Sequence, residues 1–412
     1  MRLSIFRRYN TVLFGAVLAW LSLIIGVSIL IDPYGYYHGV RWPGVNEIKP
    51  RAYVHARLAK QASARRVYPR TVILGNSRMD IGLDPQSAEW AADMHPVFNL
   101  AIPGHGLKGD LDNLNAVFSA THPREVVVGI EFLDFLFDNF GGRSLSATSP
   151  TALDELVSRL GRFSATAMSL TALVDSIDTL RQRNNPRAET MTSLGFNPLH
   201  QYLDFVDEEG HGGIFRQKNI ANIRTFLRKP MRVVADDGTL SSNFGELSTL
   251  LEWCRRRGVR IKLVIYPYHT DLLEGFRLTG LWLAFEEWKR QITRIVASAQ
   301  SAKNPADIAL WDFSGYHEFA SERVPAVGDT RTHMRWYWEA GHFKSTLGDE
   351  MLRRMLVHDA GIGFGRLLTR SNVDEVIDRI REDGRAFRVR HPNSSARIEK
   401  ILRRLQSDHP RS

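Results

Sequence analysis

A hydroxyl that attacks a carbonyl needs a place at the rim of a pocket, a base for its proton and donors for the charge that develops. Residues 71–85 offer such a hydroxyl. Thr71 to Leu74 form a short, apolar, β-branched run of the kind that makes a buried strand. Gly75 and Asn76 break the run, and Ser77 stands at the turn. Open α/β sheets bind ligands just beyond the carboxyl ends of their strands. There the Ser77 hydroxyl and backbone N–H could face one pocket. A lone Gly-x-Ser is more often an ordinary strand-to-loop turn, so the case depends on what else the chain supplies.

A serine hydroxyl is weakly nucleophilic until a neighbouring base removes its proton. His342, in a late loop just before a helix, is the candidate base. Glu339 lies three residues earlier, close enough in a turn to orient the imidazole through its other nitrogen and stabilise its positive charge, as in a serine triad. The backbone N–H of Ser77 and one from the loop at Gly104 would hold an acyl oxyanion. A histidine with an acid three residues before it also fits a polar turn. A metal centre built from His317, His333 and His342 would lack the paired His-x-x-x-His spacing, and none is expected. No cofactor is called for.

These residues need a sheet to bring them together, and the chain reads as one. Pro96 to Ala101 makes a second short strand, ending at the glycine-rich loop Ile102-Pro103-Gly104-His105-Gly106. A helix over 107–120 and a strand over 125–132 follow. The rhythm predicts an α/β fold, a parallel sheet covered by helices. It breaks over residues 140–240. There Thr151 to Leu160 and Ala165 to Leu180 read as amphipathic helices, and Arg183 to Pro186 and Glu208 to Gly213 as loops, together an inserted helical cap. It resumes with a helix over 246–257, a strand over 259–266, a helix over 280–299, a strand over 308–313 and a last helix over 346–356. Cys254, the single cysteine, excludes an internal disulfide and reads as a core residue.

Residues 11–31 run 21 positions without a charge, about 32 Å as a helix and enough to cross a bilayer core. Arg2, Arg7 and Arg8 precede the run and the next cation is Arg41, which predicts a cytoplasmic N-terminus and a domain on the other side. No small-x-small cleavage site follows, so residues 1–37 read as a stub and an uncleaved anchor. Residues 38–70 read as a basic, partly helical juxtamembrane connection with its cations near lipid headgroups or, equally, on a solvated helix face, 71–358 as the α/β domain with its insertion, and 359–412 as a basic tail. That tail could lie on an anionic membrane, bind a partner, or be solvated or disordered. The net charge of +9 favours anionic surroundings, and the absence of zinc-finger, basic-region or aromatic RNA-binding patterns makes nucleic acid the weakest of them.

The order of these blocks resembles the SGNH (GDSL-type) hydrolase superfamily: Gly-x-Ser after strand one, Asn99-x-x-x-x-Gly104 after strand two, a glycine-bearing motif after strand three, and acid-x-x-His before the last helix. The likeness covers about residues 70–140 and 255–358. Ser77-Arg78-Met79-Asp80-Ile81-Gly82 and Trp338-Glu339-Ala340-Gly341-His342-Phe343 look like its membrane-anchored branch, which is similar to proteins of envelope polysaccharide O-acetylation and teichoic-acid D-alanylation. The resemblance implies a three-layer, flavodoxin-like sandwich with Ser77 as nucleophile, His342 as base, Glu339 as orienting acid and Gly104 as an oxyanion donor. Asn76 and Arg78 are further candidates for oxyanion or substrate contacts.

Two departures stand out. The third block carries Gly129-Ile130-Glu131-Phe132 where the family has Gly-x-Asn-Asp, and an ionised Glu131 cannot donate a hydrogen bond. Glu339 replaces the usual aspartate, a change that triads tolerate. The expectation is an extracytoplasmic, single-pass serine esterase or acyltransferase of the bacterial inner membrane, acting on an acylated polysaccharide or another envelope substrate. A transferase would need a multispanning partner to deliver the acyl donor. The alternative is a non-catalytic, glycan-binding or scaffold component of a polysaccharide synthesis complex.

Overall fold

β-Branched runs fall where buried strands are needed. The computed structural model describes residues 2–119, 121–137, 160–228, 232–301, 307–357 and 363–408. In it Thr71–Leu74 (β1), Val97–Asn99 (β2), Glu125–Ile130 (β3), Arg260–Ile265 (β4) and Ile308–Asp312 (β5) pair in the order β2-β1-β3-β4-β5, all parallel. Tyr337–Glu339 (β6) and His342–Phe343 (β7) form a separate antiparallel pair. Arg366–Leu367 (β8) closes the sheet antiparallel to β5. The protein is therefore α/β, with a mostly parallel six-stranded sheet. Every residue of β1 and β3 is buried, as parallel strands covered on both faces require.

The described residues form two compact units, one within Met1–Ser63, Arg143–Ser193 and Asn197–Gln201, the other within Ala64–Gly142, Leu194–Phe196 and Tyr202–Ser412. The region expected as one inserted cap is thus divided between them. The helix expected over 151–160 lies, up to residue 159, outside the described residues. Glu208 to Gly213, expected as a loop, lie inside the helix Tyr202–Phe226. The helix kinks there, because Gly210 adopts φ 69° and a Cβ on it would meet the Asp329 carbonyl oxygen at 2.2 Å. Three nearby glycines suggested a loop, yet only one of them leaves helical geometry.

The first unit holds the helix Arg2–Ile31 (α1), of which Phe6–Ile31 is 26 residues long and apolar enough to cross a membrane. Its last carbonyls are capped from within the unit. Asn46 Nδ2 and Lys49 Nζ donate to the Ile31 oxygen at 2.9 and 3.3 Å, and Lys49 also reaches the Asp32 oxygen at 2.7 Å. A cation there suits the negative end of the helix dipole. Lys49 was expected near headgroups or on a solvated face, but it is fully buried, and burial pulls its ammonium down to about 8 against the attraction of Asp32.

In the second unit the helices Leu107–Val117 (α4), Ser242–Arg257 (α7) and Trp282–Gln300 (α9) pack in series. The tail is part of this unit: after β8, helices Val373–Arg390 (α11) and Pro392–Asp408 (α12) pack on it. Their cations serve buried carboxylates of the helix Thr270–Leu278 (α8). Arg397 pairs with Asp271 at 2.6 Å and Arg388 with Glu274 at 3.2 Å. Charges that the sequence offers to a membrane are here counter-ions, which explains the order of the tail. Cys254 lies in the core, as expected.

The helix Ser77–Gly82 (α3) is gripped between β7 and the helix Ser345–Val357 (α10). A Cβ on Gly82 would sit 2.2 Å from the Phe343 ring, and one on Gly348 only 1.9 Å from the Gly82 carbonyl oxygen. Gly348→Ala should therefore cost roughly 1–3 kcal/mol or more by overpacking. Gly245→Ala, on an open face of α7 with nothing within 4 Å, should be neutral or stabilising. Thermal unfolding of the two variants in detergent checks the contrast.

Candidate active site

The turn that carries Ser77 can be made only with glycine. Gly75 ends β1 at φ 131°, and a Cβ there would lie 2.8 Å from Met79 Cγ. Its N–H donates to Asp110 Oδ1 at 3.1 Å, and its carbonyl accepts from Ile102 N–H at 3.0 Å. Asn76 caps α3, its Oδ1 accepting from Arg78 N–H at 3.0 Å and from the Tyr266 hydroxyl at 3.1 Å. Ser77 is thus the first residue of α3, where a backbone N–H has no helical partner. Asn99, the asparagine of the second block, donates to the Met79 and Leu83 carbonyls at 2.8 and 3.0 Å and fixes the far end of the helix.

His342 approaches from 265 residues away, its Nε2 standing 2.8 Å from Ser77 Oγ. Its Nδ1 meets Oε1 of Glu339. Glu339 is buried and also accepts the Gly341 N–H at 2.9 Å. Burial pushes this carboxyl up, but the His342 charge and hydrogen bond, the Gly341 N–H and Arg78 outweigh it and hold the group down at about 2. The β6–β7 hairpin is pinned to the end of β4, with Tyr337 Oη donating to the Pro267 carbonyl at 2.9 Å and His269 N–H to that of Ala340 at 3.2 Å.

Arg78 joins the two halves. Its Nε donates to the Gly341 carbonyl at 2.6 Å, its Nη1 pairs with Glu131 Oε2, and its guanidinium lies over the Tyr266 and Tyr268 rings. The Tyr268 hydroxyl completes the group by donating to Glu131 Oε1 at 3.0 Å. Glu131 is the counter-ion of Arg78. The Arg78 guanidinium and the Asn76 amide oxygen, expected at substrate, are both engaged in internal bonds.

Gly104 lies in the loop after β2, two residues beyond the Ile102 tether to Gly75, at φ 76° with open space where a Cβ would stand. The structure brings together Ser77, His342, Glu339, Asn76 and Arg78. Among the described residues no hydrogen bond joins Gly104 to them. His317 turns away, its Nε2 on the Phe313 carbonyl and its Nδ1 accepting from Ala320 N–H. Among the described residues no group of three or more His, Cys, Asp or Glu is placed to hold a metal.

Asp110 went unread in the sequence, although an acid on the buried stripe Leu107, Asp110, Leu114, Val117 is a recognisable signal. The Arg78–Glu131 pair carries no such signal, since its members stand 53 positions apart with two strands between them. Comparison of the sequence with known protein families and with curated proteins found no match.

Burial raises the Asp110 carboxyl from an ordinary 3.8 to about 8, with Asp134 adding and the Gly75 N–H opposing. Between those values the unfolded chain releases this proton and the folded chain keeps it, so its contribution to stability falls as pH rises from 3.8 to 8. Asp110→Asn keeps the acceptor and removes the titration. It should melt near wild type at pH 4 and above it at pH 8. Asp110→Ala orphans the Gly75 N–H and should lie about 1–3 kcal/mol below Asp110→Asn at both. Melting temperatures against pH decide; a difference between Asp110→Asn and wild type that ignores pH would contradict the assignment.

Proposed function

We propose that this chain is a membrane-anchored serine esterase or acyltransferase of the SGNH type that works through an acyl-Ser77 intermediate. The observation that carries this reading is the Ser77 Oγ to His342 Nε2 contact of 2.8 Å, with the other imidazole nitrogen on the buried carboxylate of Glu339. The strand order 2-1-3-4-5 supports a flavodoxin-like sheet, and Ser77 follows the carboxyl end of β1, beside its switch point. Right-handed crossovers would put α4, α7 and α9 on one face and the β1–β2 connection on the other, a three-layer sandwich.

In this mechanism Ser77 Oγ attacks an ester carbonyl as its proton passes to His342 Nε2. Glu339 holds the ring through Nδ1–H and stabilises the imidazolium. The oxyanion takes the Ser77 N–H and an N–H from the Gly104 loop. Collapse expels the alcohol, which leaves with the proton from Nε2, and the acyl group stays on Ser77. Water, or a sugar hydroxyl, then gives its proton to His342 and takes the acyl group, and His342 returns that proton to the departing Ser77 Oγ. The Arg2, Arg7 and Arg8 cluster ahead of the uncharged run 11–31 favours a cytoplasmic N-terminus and a site on the far side, where envelope polysaccharide is the fitting acceptor. A transferase would draw its acyl donor from a multispanning partner.

The binding or scaffold reading has one observation in its favour: Glu131 is bound to Arg78 at the block where the family carries a donor asparagine, which leaves the oxyanion to backbone N–H groups. Turnover separates the two. Full-length protein in detergent should hydrolyse p-nitrophenyl acetate, with no turnover above background in Ser77→Ala or His342→Ala. Glu339→Gln should lose roughly 10²–10⁴-fold in kcat/KM through a misdirected imidazole. A folded but inert wild type would favour the scaffold reading, and equal rates in wild type and Ser77→Ala would end the serine assignment.

A further inference from the structure

A helix packed on a water-soluble protein turns its large apolar side chains inward and its polar ones outward. In the first unit the helix Leu170–Arg181 (α5) is built the other way. Its buried residues are Ala172, Asp175, Ser176 and Thr179, whereas Leu170, Val174 and Ile177 are 71, 61 and 40 % exposed. Met168, in the π-helical turn Ser164–Met168 ahead of it, is exposed too. The polar inner face is satisfied from within. Ser176 Oγ donates to the Ala172 carbonyl at 2.7 Å, Thr179 Oγ1 to that of Asp175 at 2.8 Å, and Asp175 accepts from the Tyr34 hydroxyl at 2.7 Å. Polar groups bonded inside and branched apolar groups outside suit a helix whose surroundings are hydrocarbon.

The neighbour of α5 fixes its depth. Both α5 and the π-helical turn pack on α1, whose buried residues, among those described, are Ile24, Ser28 and Ile31, one stripe in the last third of the span. From Ile24 to Ile31 the helix rises about 10 Å. Interfacial helices bury their apolar faces about 5–10 Å into the boundary of headgroups and acyl chains. Tyr34 and Tyr37, two of the three tyrosines that directly follow the span, bond to Asp175 and Thr166 at 2.7 and 2.5 Å. Aromatic hydroxyls belong at that boundary.

We infer that α5 lies in the bilayer leaflet that α1 leaves at Ile31, presenting Leu170, Val174 and Ile177 to lipid acyl chains. The inference rests on α1 crossing a bilayer. It makes the membrane contact a two-helix seat, fixed by the hydrogen bonds of Tyr34 and Tyr37, rather than a single helix on a tether.

The test uses the full chain in vesicles of phosphatidylethanolamine and phosphatidylglycerol. Single variants Val174→Cys and Ile177→Cys carry an environment-sensitive fluorophore on exposed positions where the label leaves the packing intact. Leu18→Cys on α1 and Val327→Cys in the second unit serve as references for lipid and water. Native Cys254 stays in place, buried and with its thiol pushed up to about 12, so it does not label. The expected result is blue-shifted emission at positions 174 and 177 that nitroxide-bearing acyl chains quench as they do at 18 and aqueous iodide does not. Iodide quenching of 174 and 177 as at 327, with 18 quenched by lipid, would overturn the inference and leave the anchor intact. Blue-shifted emission quenched by neither agent would overturn it too, because protein, a second copy or a partner, would then cover the face. Failure of lipid to quench 18 would overturn the anchor itself.

Discussion

The distance between Ser77 and His342 depends on how closely two backbones and an aromatic ring meet at Gly82. The Phe343 ring and Gly348 both press on this residue at separations that any Cβ would forbid. His342 is the neighbour of Phe343 in β7, and Ser77 opens the helix that Gly82 closes. Ser77 and His342 are therefore both held by the same contact. Protein interiors are dense enough to transmit a small local displacement. A shift of 1 Å at Gly82 is large against a hydrogen bond of 2.8 Å, so the proton path from serine to imidazole depends on packing some distance from it.

Charge completes what packing begins. Arg78 lies between Glu131 and the Gly341 carbonyl, and its charge also helps to keep Glu339 ionised. A guanidinium in this position links the helix of Ser77 to the hairpin of His342, and its planar fork limits the ways in which the two can shift. The buried carboxylate of Glu131 would be costly unpaired, so the pair constrains both ends. Glu131 is thus a brace and offers no donor, and under the proposed mechanism an oxyanion would rely on the first N–H groups of α3 and of the glycine loop. The short α3, the open space at Gly104 and the glycine turn at Gly75 suit that use.

Periodicity carried the five parallel strands and several helices, because Thr71 to Leu74, Val126 to Ile130 and Leu263 to Ile265 are apolar runs too short for helices. The serine and the histidine were legible through their places at element ends. Partnerships across long separations were not. Nothing near Arg78 announces Glu131, and nothing in the basic tail announces that Arg388 and Arg397 are reserved for Glu274 and Asp271. Composition likewise misplaced Lys49, whose charge closes a helix end within the fold, and suggested a loop at residues 208–213 where a helix absorbs a glycine kink. These outcomes share a cause. Local pattern reports which face a residue prefers, whereas the partner that satisfies a charge is chosen by the topology.

The most direct measurement of the central claim is the site of covalent modification. Full-length protein treated with a fluorophosphonate, digested and read by mass spectrometry should carry one adduct, on the peptide containing Ser77, at a rate that falls to background in His342→Ala. An adduct on any other residue, or labelling of Ser77 that proceeds unchanged without His342, would contradict a serine activated by that histidine.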